Sequence, residues 1–206
     1  MAANSAAHSL SNRLEPYGDE PSGELNVIIE TPKGSRNKFD YDEETGLFKL
    51  GGVLPSGAVF PFDFGFVPGT LGEDGDPLDV LVLMDEPAFA GCLVASRLIG
   101  VIEALQTERD GETTRNDRLI AVAANSHGQS HVTALSDLTG NLVEEIEHFF
   151  VSYNTIKGKQ FEPLGRYGPE VAQLLVREGI AKLRRKSRAG KAGKRATGRA
   201  SKKRAR

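Results

Sequence analysis

The 206-residue chain is long enough for one ordinary domain with a hydrophobic core, and its 39% hydrophobic and 26% charged residues are globular values. Cys92 is the only cysteine, which excludes intramolecular disulfides and cysteine-based zinc sites. No apolar run approaches the roughly 18 residues that a membrane-spanning helix needs, and the N-terminus has no hydrophobic stretch of signal-peptide length. We therefore expect a cytoplasmic protein without membrane contact.

The net charge of −2 combines two parts of opposite sign. Residues 182–206 carry 13 Lys or Arg side chains and no acid, whereas the preceding residues carry 13 basic and 28 acidic side chains, a formal balance of −15. An acidic body attracts cations, and a basic tail attracts polyanions. The chain is predicted to have a flexible lead-in over residues 1–23, a folded domain over 24–181 and a disordered basic tail over 182–206.

Most of the folded domain is predicted to form short strands. The segments that indicate strands are LNVIIE, KFDYD, two short runs within GLFKLGGVLPSGAVF, LDVLVLMDEP, VASRLIGVIEAL and NDRLIAVAA. In KFDYD, the period-two alternation predicts that Lys38 and Asp40 share one face of a half-buried strand. Because long helices do not alternate with these strands, the pattern favours a small β-barrel over a parallel α/β sheet.

Helices are predicted only near the end of the folded domain. Asn141 and Glu144 resemble a capping box. The apolar positions that follow at helical spacing are Leu142, Ile146, Phe149, Phe150 and Tyr153. A second helix is expected to begin near Pro169, and its predicted inward positions are Val171, Leu174 and Leu175. The predicted fold class is mainly β with flanking helices.

An acidic turn, EDGDPLD, carries the strongest chemical signal. Asp74, Asp76 and Asp79 fall within six positions, and Gly75 and Pro77 force a tight turn between them. Clustered carboxylates repel one another unless a cation is present, and such hard oxygen ligands suit Mg²⁺, Mn²⁺ or Ca²⁺. An acidic turn without a metal remains the alternative. The segment is not an EF-hand, because the acidic ligand near the twelfth loop position is missing.

The order of several segments resembles that of the soluble family I inorganic pyrophosphatases. These segments are VIIETP, RNKFDYD, FPFDFGF, EDGDPLDVLVL, GVIEA and HFFVSY, and the match runs over residues 26–165, about two thirds of the chain. The resemblance implies a five-stranded barrel of OB-like topology, a cleft across it, a homo-oligomer, and hydrolysis of pyrophosphate to two phosphates with Mg²⁺ as cofactor.

The resemblance also implies roles for the acidic residues. Asp74 and Asp79 match the main metal ligands of the family. Asp76 matches the carboxylate that orients or deprotonates the attacking water. Glu30 and Asp40 match acidic positions that bind further metal ions through water.

Cationic and hydroxyl side chains match the substrate-binding positions of the same family. Lys38 and Arg118 match phosphate ligands, and Tyr153 matches a phosphate-binding tyrosine. Lys157 and Lys159, in the segment KGK, are candidate additional phosphate contacts. The resemblance therefore implies a cleft that binds both metal ions and phosphate.

The sequence departs from the family pattern around this predicted cleft. The departing positions are Gly52, Phe60, Phe64, Gln106, Asn116 and Asn154, where an arginine, two tyrosines, two aspartates and a lysine are expected. Lys49 is a candidate replacement for the arginine. The candidate displaced acids are Asp117, Glu108, Asp110 and Glu112.

Three alternatives to a divergent but working pyrophosphatase therefore stay open. The first is a pyrophosphatase-like protein whose catalysis is impaired. A different phosphoanhydride substrate is a second alternative, although the body contains no GxxxxGK[ST] or GxGxxG motif for a nucleotide. A binder of nucleic acid or another polyanion through residues 182–206 is the third. Under this division of labour, deletion of residues 182–206 is expected to remove polyanion binding and to leave pyrophosphate turnover unchanged.

Overall fold

The computed structural model describes residues 14–18 and 23–204, with side chains described up to residue 189. The strands are β1 (Leu25–Thr31), β2 (Asn37–Asp42), β3 (Leu47–Val53), β4 (Asp63–Val67), β5 (Leu78–Leu83), β6 (Leu93–Thr107), β7 (Thr113–Arg115), β8 (Arg118–Ala123) and β9 (Gln160–Tyr167). The α-helices are α1 (Leu142–Ile156) and α2 (Pro169–Arg204), and a short 3₁₀ helix (Leu135–Asp137) precedes α1. None of the helices described is long and apolar enough to cross a membrane.

Five strands close into a ring in the order β1, β4, β5, β8, β6 and back to β1. All of these pairings are antiparallel except the β5–β8 pairing. A closed ring satisfies the backbone hydrogen bonds of every strand without leaving a sheet edge. The predicted five-stranded barrel with helices after it is confirmed.

The barrel packs its two faces against different helices. In β5, Leu81 and Leu83 belong to a core cluster that contacts α1, whereas Val80 and Val82 belong to a second cluster that contacts α2. This alternation follows from the opposite directions of successive side chains in a strand. Because β5 is buried on both faces, its acidic N-terminal residues are held on a rigid support.

The helices begin where the sequence predicts. Asn141 is the residue before α1, although its side chain makes no capping hydrogen bond, and α2 begins at Pro169. Ile146 and Phe150 are fully buried, as their spacing predicts. The inward prediction for Leu174 is wrong, because this side chain is 51% exposed and Ala172 and Val176 occupy the interface with the barrel.

Strand β9 and the two chain ends differ from the sequence-based predictions. β9 was not predicted, because Pro163 and Gly165 interrupt its pattern, yet seven of its eight residues pair with β6. Of the predicted lead-in, residues 14–18 lie against the body, where Tyr17 bridges Leu25; residues 1–13 and 19–22 lie outside the described part.

The basic segment has a helical backbone where the sequence predicts a disordered tail. Helix α2 crosses residue 182 without a break and continues to Arg204. The physical reason is that alanine, lysine and arginine are strong helix formers. The division of the chain at residues 181 and 182 stays a prediction, although it does not coincide with the end of an element.

Candidate active site

A large cleft, with a volume of about 1560 Å³, lies across one side of the barrel. Its walls come from the β2–β3 hairpin, the loop between β4 and β5, the ends of β6 and β8, and the helices α1 and α2. All but one of the predicted site residues line it: Glu30, Lys38, Asp40, Asp74, Asp76, Asp79, Arg118, Tyr153, Lys157 and Lys159. The fold thus gathers into one space residues that lie up to 129 positions apart in sequence.

The acidic loop, defined here as residues 72–79, is closed by its own hydrogen bonds. The backbone N–H of Asp76 donates to Asp74 Oδ1 at 3.1 Å, and the N–H of Gly72 donates to the carbonyl of Asp76 at 2.6 Å. Gly75 has φ of 96°, in the left-handed region that other residues rarely adopt. This compact turn presents Asp74 and Asp76 to the cleft beside Asp79, at the start of β5.

The carboxylates of the acidic loop repel one another. Burial raises the pKa of Asp74, Asp76 and Asp79 above the usual aspartate value, and neighbouring carboxylates raise it further. Arg118 and Lys38 counteract this effect at Asp79. A cation placed among these carboxylates would stabilise their charged form.

A second acidic group surrounds Lys38 on the hairpin side of the cleft. The Lys38 ammonium lies 3.3 Å from Glu30 Oε2, 2.7 Å from Asp40 Oδ1 and 4.8 Å from the centre of the Phe64 ring. Burial alone would lower the pKa of Lys38, but Glu30 and Asp40 outweigh burial and raise the pKa. Lys38 is therefore a fixed positive charge in the cleft.

The carboxyl group of Glu30 is strongly perturbed by its surroundings in the cleft. Burial raises its pKa to about 7, even though Lys38 lies nearby and the Tyr41 N–H donates to Glu30 Oε1 at 2.7 Å. The backbone hydrogen bond fixes the orientation of the carboxyl group. Glu30 thus lies at the base of the cleft with one oxygen directed toward Lys38.

Arg118 holds the centre of the cleft. Its guanidinium Nη1 lies 2.5 Å from Asp79 Oδ2, and the same nitrogen donates to the side-chain oxygen of Asn116. The guanidinium also lies over the rings of Phe150 and Phe161, 4.9 and 5.3 Å from their centres. Since the side chain is only 5% exposed, it is held in one orientation by packing as well as by hydrogen bonds.

The third wall carries Tyr153 and two lysines. The Lys157 ammonium contacts the Tyr153 hydroxyl, and Lys159 Nζ lies 2.7 Å from Glu108 Oε2. Tyr153 packs against Phe60 and Phe149, whose ring centres lie 5.7 and 5.8 Å away. The aromatic packing fixes a hydroxyl and two ammonium groups at the edge of the cleft.

Asp117, which was predicted as a displaced metal ligand, does not line the cleft. Its Oδ1 accepts the Ala104 N–H at 3.1 Å, and its Oδ2 lies 2.7 Å from Arg115 Nε. Both carboxylate oxygens of Asp117 are therefore hydrogen-bonded outside the cleft. The neighbouring Asn116 lies in the cleft instead, because successive residues near the start of a strand point in opposite directions.

The two amides that replace expected aspartates form a hydrogen-bond network with Arg118. Gln106 Oε1 lies 3.4 Å from Asn116 Nδ2 and 3.5 Å from Arg118 Nη2, and Gln106 Nε2 donates to Glu108 Oε1 at 2.7 Å. The amides therefore orient Arg118 without adding negative charge. Of the candidate displaced acids, Glu108 and Glu112 line the cleft.

The other departures have simple structural outcomes. Phe64 and Asn154 line the cleft, and Asn154 Nδ2 donates to the Phe150 carbonyl at 2.9 Å. Gly52 is the register partner of Lys38, and space is open around its Cα. Lys49 does not line the cleft, although its ammonium is paired with Asp42, which does.

The donor set of the cleft fits a hard divalent cation. Carboxylate oxygens predominate, with Asp74, Asp76 and Asp79 on one loop and Glu30 and Asp40 facing them. In the described part of the chain, no three His, Cys, Asp or Glu side chains converge closely enough to form a ready metal shell. Such open carboxylate sites suit a metal that keeps several of its waters, which is the preference of Mg²⁺.

Comparison with known proteins decides the family. The family model described as inorganic pyrophosphatase matches residues 27–184. This chain belongs to the inorganic pyrophosphatase family. The resemblance stated from the sequence, and the enzyme class that it implies, are confirmed.

Relatives within the family cover nearly their whole length. The inorganic pyrophosphatase of Synechocystis sp. is 40% identical over 159 residues, which are 77% of this chain and 91% of the relative. That of Thermus thermophilus is 36% identical over 172 residues, which are 82% and 95% of the two chains.

Solved pyrophosphatase structures have the same fold. The crystal structure of the Thermus thermophilus enzyme superposes with a TM-score of 0.76 at 35% identity, covering 85% of this chain and 99% of that one. The Helicobacter pylori enzyme gives a TM-score of 0.74 at 32% identity, covering 84% and 99%.

Helix α2 supplies cleft residues that the sequence-based reasoning missed. Lys186 and Arg188 line the same cleft as the acidic loop, and both lie beyond residue 184, where the match to the pyrophosphatase family ends. Lys182, one turn earlier, contacts the acidic loop itself. Lys182 and Lys186 have the i, i+4 spacing of basic residues on one helix face, which the sequence shows. The acidic loop that they approach lies more than 100 positions away in sequence, so the contact could not be predicted.

Proposed function

We propose that this protein hydrolyses inorganic pyrophosphate to two phosphates by attack of a metal-activated water. The observation that carries the proposal is the gathering, within one cleft, of five carboxylates with cationic side chains and a tyrosine hydroxyl. The substrate is a polyanion that chelates metal ions, so the metal-binding carboxylates and the cationic side chains each have a partner on it. Membership of the inorganic pyrophosphatase family supports the same reaction.

The carboxylates that line the cleft would hold Mg²⁺. Asp74 and Asp79 are the proposed direct ligands, and Glu30 and Asp40 the proposed ligands through water. Bound Mg²⁺ lowers the pKa of coordinated water and neutralises phosphate charge. Asp76 lies on the same turn and is proposed to accept the proton of the attacking water. No covalent enzyme intermediate is needed, since the water oxygen forms the new P–O bond as the bridging P–O bond breaks.

The cationic side chains of the cleft, together with Tyr153, would bind the substrate and stabilise the leaving phosphate. Lys38 and Arg118 are fixed by burial and by ion pairs, so their charges need no reorganisation during the reaction. Tyr153, Lys157 and Lys159 are proposed to contact the outer phosphate oxygens. In this arrangement, negative charge that develops on the leaving phosphate meets positive groups already in position.

The amides at Gln106 and Asn116 favour a working enzyme over an impaired one. They keep Arg118 in the cleft through hydrogen bonds rather than leaving a cavity or an unpaired charge. Fewer carboxylates reduce the negative charge near the substrate. We therefore expect catalysis with a weaker dependence on additional metal ions.

The test is phosphate release from Mg²⁺-pyrophosphate by the purified protein, together with Asp76→Asn and Asp79→Asn. We expect rapid, metal-dependent release that falls by roughly 10²-fold or more in each variant, because each removes a charge that acts on the reacting water or the metal. Asp110→Asn, outside the cleft, is the matched control and should retain wild-type turnover. Absence of release with Mg²⁺, Mn²⁺ and Zn²⁺ would reject the proposal.

A second arm of the test addresses the substrate. ATP and a short polyphosphate share the phosphoanhydride bond of pyrophosphate, but ATP adds a nucleoside for which the sequence contains no binding motif. We expect pyrophosphate to be hydrolysed far faster than ATP. Faster release from ATP would reassign the substrate while keeping the metal site.

Assembly, location and polyanion binding are further parts of the proposal. A homo-oligomer is supported by exposed apolar side chains on β3, Leu47, Leu50 and Val53, and light scattering after size-exclusion chromatography tests it. A cytoplasmic location is supported by the single free cysteine. Binding of nucleic acid or another polyanion by residues 182–206 is supported by their 13 basic side chains.

A further inference from the structure

Helix α2 packs directly on the acidic loop. The N–H of Leu71 donates to the Gly179 carbonyl at 3.2 Å, so the backbone of the helix bonds the backbone that enters the loop. A Cβ at Gly179 would lie 3.0 Å from Leu78 Cδ1 and 3.4 Å from the Leu71 backbone nitrogen, which shows how closely the helix approaches this segment. The helix is therefore in a position to fix the shape of the loop.

Lys182 extends this contact into the loop. Its ammonium donates to the Gly72 carbonyl at 2.6 Å and lies 2.9 Å from Glu73 Oε2. The Lys182 side chain is 32% exposed, whereas that of Glu73 is 65% exposed. Because the ion pair is partly screened by solvent, the bond to the backbone carbonyl is the more specific of the two contacts.

The carbonyl that Lys182 binds belongs to the residue that closes the loop. The N–H of Gly72 donates to the Asp76 carbonyl at 2.6 Å, so Gly72 links Lys182 on one side to Asp76 on the other. Asp74 in turn accepts the Asp76 N–H. One chain of hydrogen bonds thus connects the ammonium, through the backbones of Gly72 and Asp76, to the Asp74 carboxylate.

The loop needs such a constraint because its carboxylates repel one another. Asp74 and Asp79 act on each other, as do Asp76 and Asp74, and repulsion would open an unrestrained turn in the absence of a cation. A positive group bound to the loop backbone opposes this opening without occupying the space between the carboxylates. The ammonium also offsets part of the negative charge of the loop.

We propose that Lys182 is a positioning residue of the active site, which holds the acidic loop in its metal-binding shape before Mg²⁺ arrives. The inference rests on the proposed function only for the identity of the metal. It places the start of the basic segment inside the catalytic domain.

The test measures binding of Mg²⁺ to the metal-free, full-length protein by isothermal titration calorimetry. Lys182→Met keeps the length of the side chain and removes its charge. We expect Mg²⁺ to bind roughly three- to tenfold more weakly, the range for loss of a partly exposed charged hydrogen bond. Lys182→Arg should recover most of the affinity. Arg185→Met is the matched control, because Arg185 lies on the same helix, is exposed and does not line the cleft.

Turnover provides the second readout. In Lys182→Met, the Mg²⁺ concentration for half-maximal turnover should rise by the same factor, while kcat at saturating Mg²⁺ should stay within roughly twofold, because an ordered loop with bound metal no longer needs the restraint. Circular dichroism and thermal unfolding establish that each variant is folded.

The outcomes separate this inference from the proposed function. Unchanged Mg²⁺ affinity in Lys182→Met, or equal weakening in Arg185→Met, would overturn the positioning role. A protein that binds Mg²⁺ in a Lys182-dependent way but releases no phosphate would keep this inference and reject the proposed reaction.

Discussion

Gly52 lies opposite Lys38 in the β2–β3 hairpin, where the pyrophosphatase pattern has an arginine. Register partners in an antiparallel pair direct their side chains to the same face, so a side chain at position 52 would project beside Lys38. A Cβ added there meets no other atom within 4 Å. The position is therefore open to a phosphate-binding side chain.

We predict that Gly52→Arg lowers the KM for Mg²⁺-pyrophosphate by roughly tenfold, through a new charged hydrogen bond to phosphate. Steady-state phosphate release measures the change. Val53→Arg adds the same charge on the neighbouring residue, whose side chain faces the other way, and should leave KM near the wild-type value. Equal KM values in the two variants would contradict the geometry.

Among individual residues, those that lie in contiguous motifs were predictable from the sequence. Residues whose contacts come from a different strand, helix or loop were not. Asp74, Asp76 and Asp79 were predictable because one turn carries all three. Asp117 was predicted as a ligand from its proximity to Asn116, but the sequence does not reveal which of the two neighbours lines the cleft. Lys182 was missed because its partner is 110 positions away.

The loop between β8 and α1 depends on one aspartate. Asp85, just after β5, accepts the N–H groups of His127 and Gly128 at 2.8 and 2.9 Å and the Ser126 hydroxyl at 3.1 Å. The backbone hydrogen bonds contribute most to lowering the pKa of Asp85 below the usual aspartate value. Asp85 thus links the end of a buried strand to an irregular segment that lacks regular pairing.

The lowered pKa makes this link dependent on pH. Because the folded pKa lies below the unfolded one, the contribution of Asp85 to stability is fully present above the unfolded pKa and is lost as pH falls through the folded pKa. We predict that Asp85→Asn lowers the thermal unfolding midpoint at about pH 7 and that the difference from wild type narrows below about pH 4. Glu86→Gln, the neighbouring exposed carboxylate, is the control. A pH-independent difference would mean that the carboxylate charge is not what stabilises the loop.

Elements were predictable from the sequence where their periodicity was uninterrupted. The apolar spacing of α1 and the Pro169 start of α2 led to correct predictions. β9 followed no such pattern, because Pro163 and Gly165 interrupt it and a register shift between Glu103 and Ala104 accommodates it on β6. Its pairing is set by the edge that the long β6 offers, which only the tertiary structure reveals.

The whole molecule combines an acidic catalytic body with a basic helix end. Five of the 13 basic residues of segment 182–206 fall within 182–189, and eight fall within 190–206. The first group includes residues that line the cleft or bind the acidic loop, namely Lys182, Arg184, Lys186 and Arg188. The charge boundary in the sequence therefore falls within helix α2, just before basic residues that line the cleft or bind the acidic loop, and the division into enzyme and tail at residue 182 stays a prediction.

Two truncations distinguish these groups. A chain ending at residue 189 keeps Lys182 and the cleft-lining cations, so we predict wild-type Mg²⁺ affinity and pyrophosphate turnover but weak, salt-insensitive binding to DNA, because the eight distal cations are gone. A chain ending at residue 181 should also bind Mg²⁺ more weakly, since the acidic loop loses its ammonium contact. Calorimetry, phosphate release and DNA binding at two salt concentrations measure all three properties on both chains. If both chains kept full Mg²⁺ affinity, the basic segment would be separable from the enzyme at residue 182; if only the longer one did, the active site extends into the basic helix.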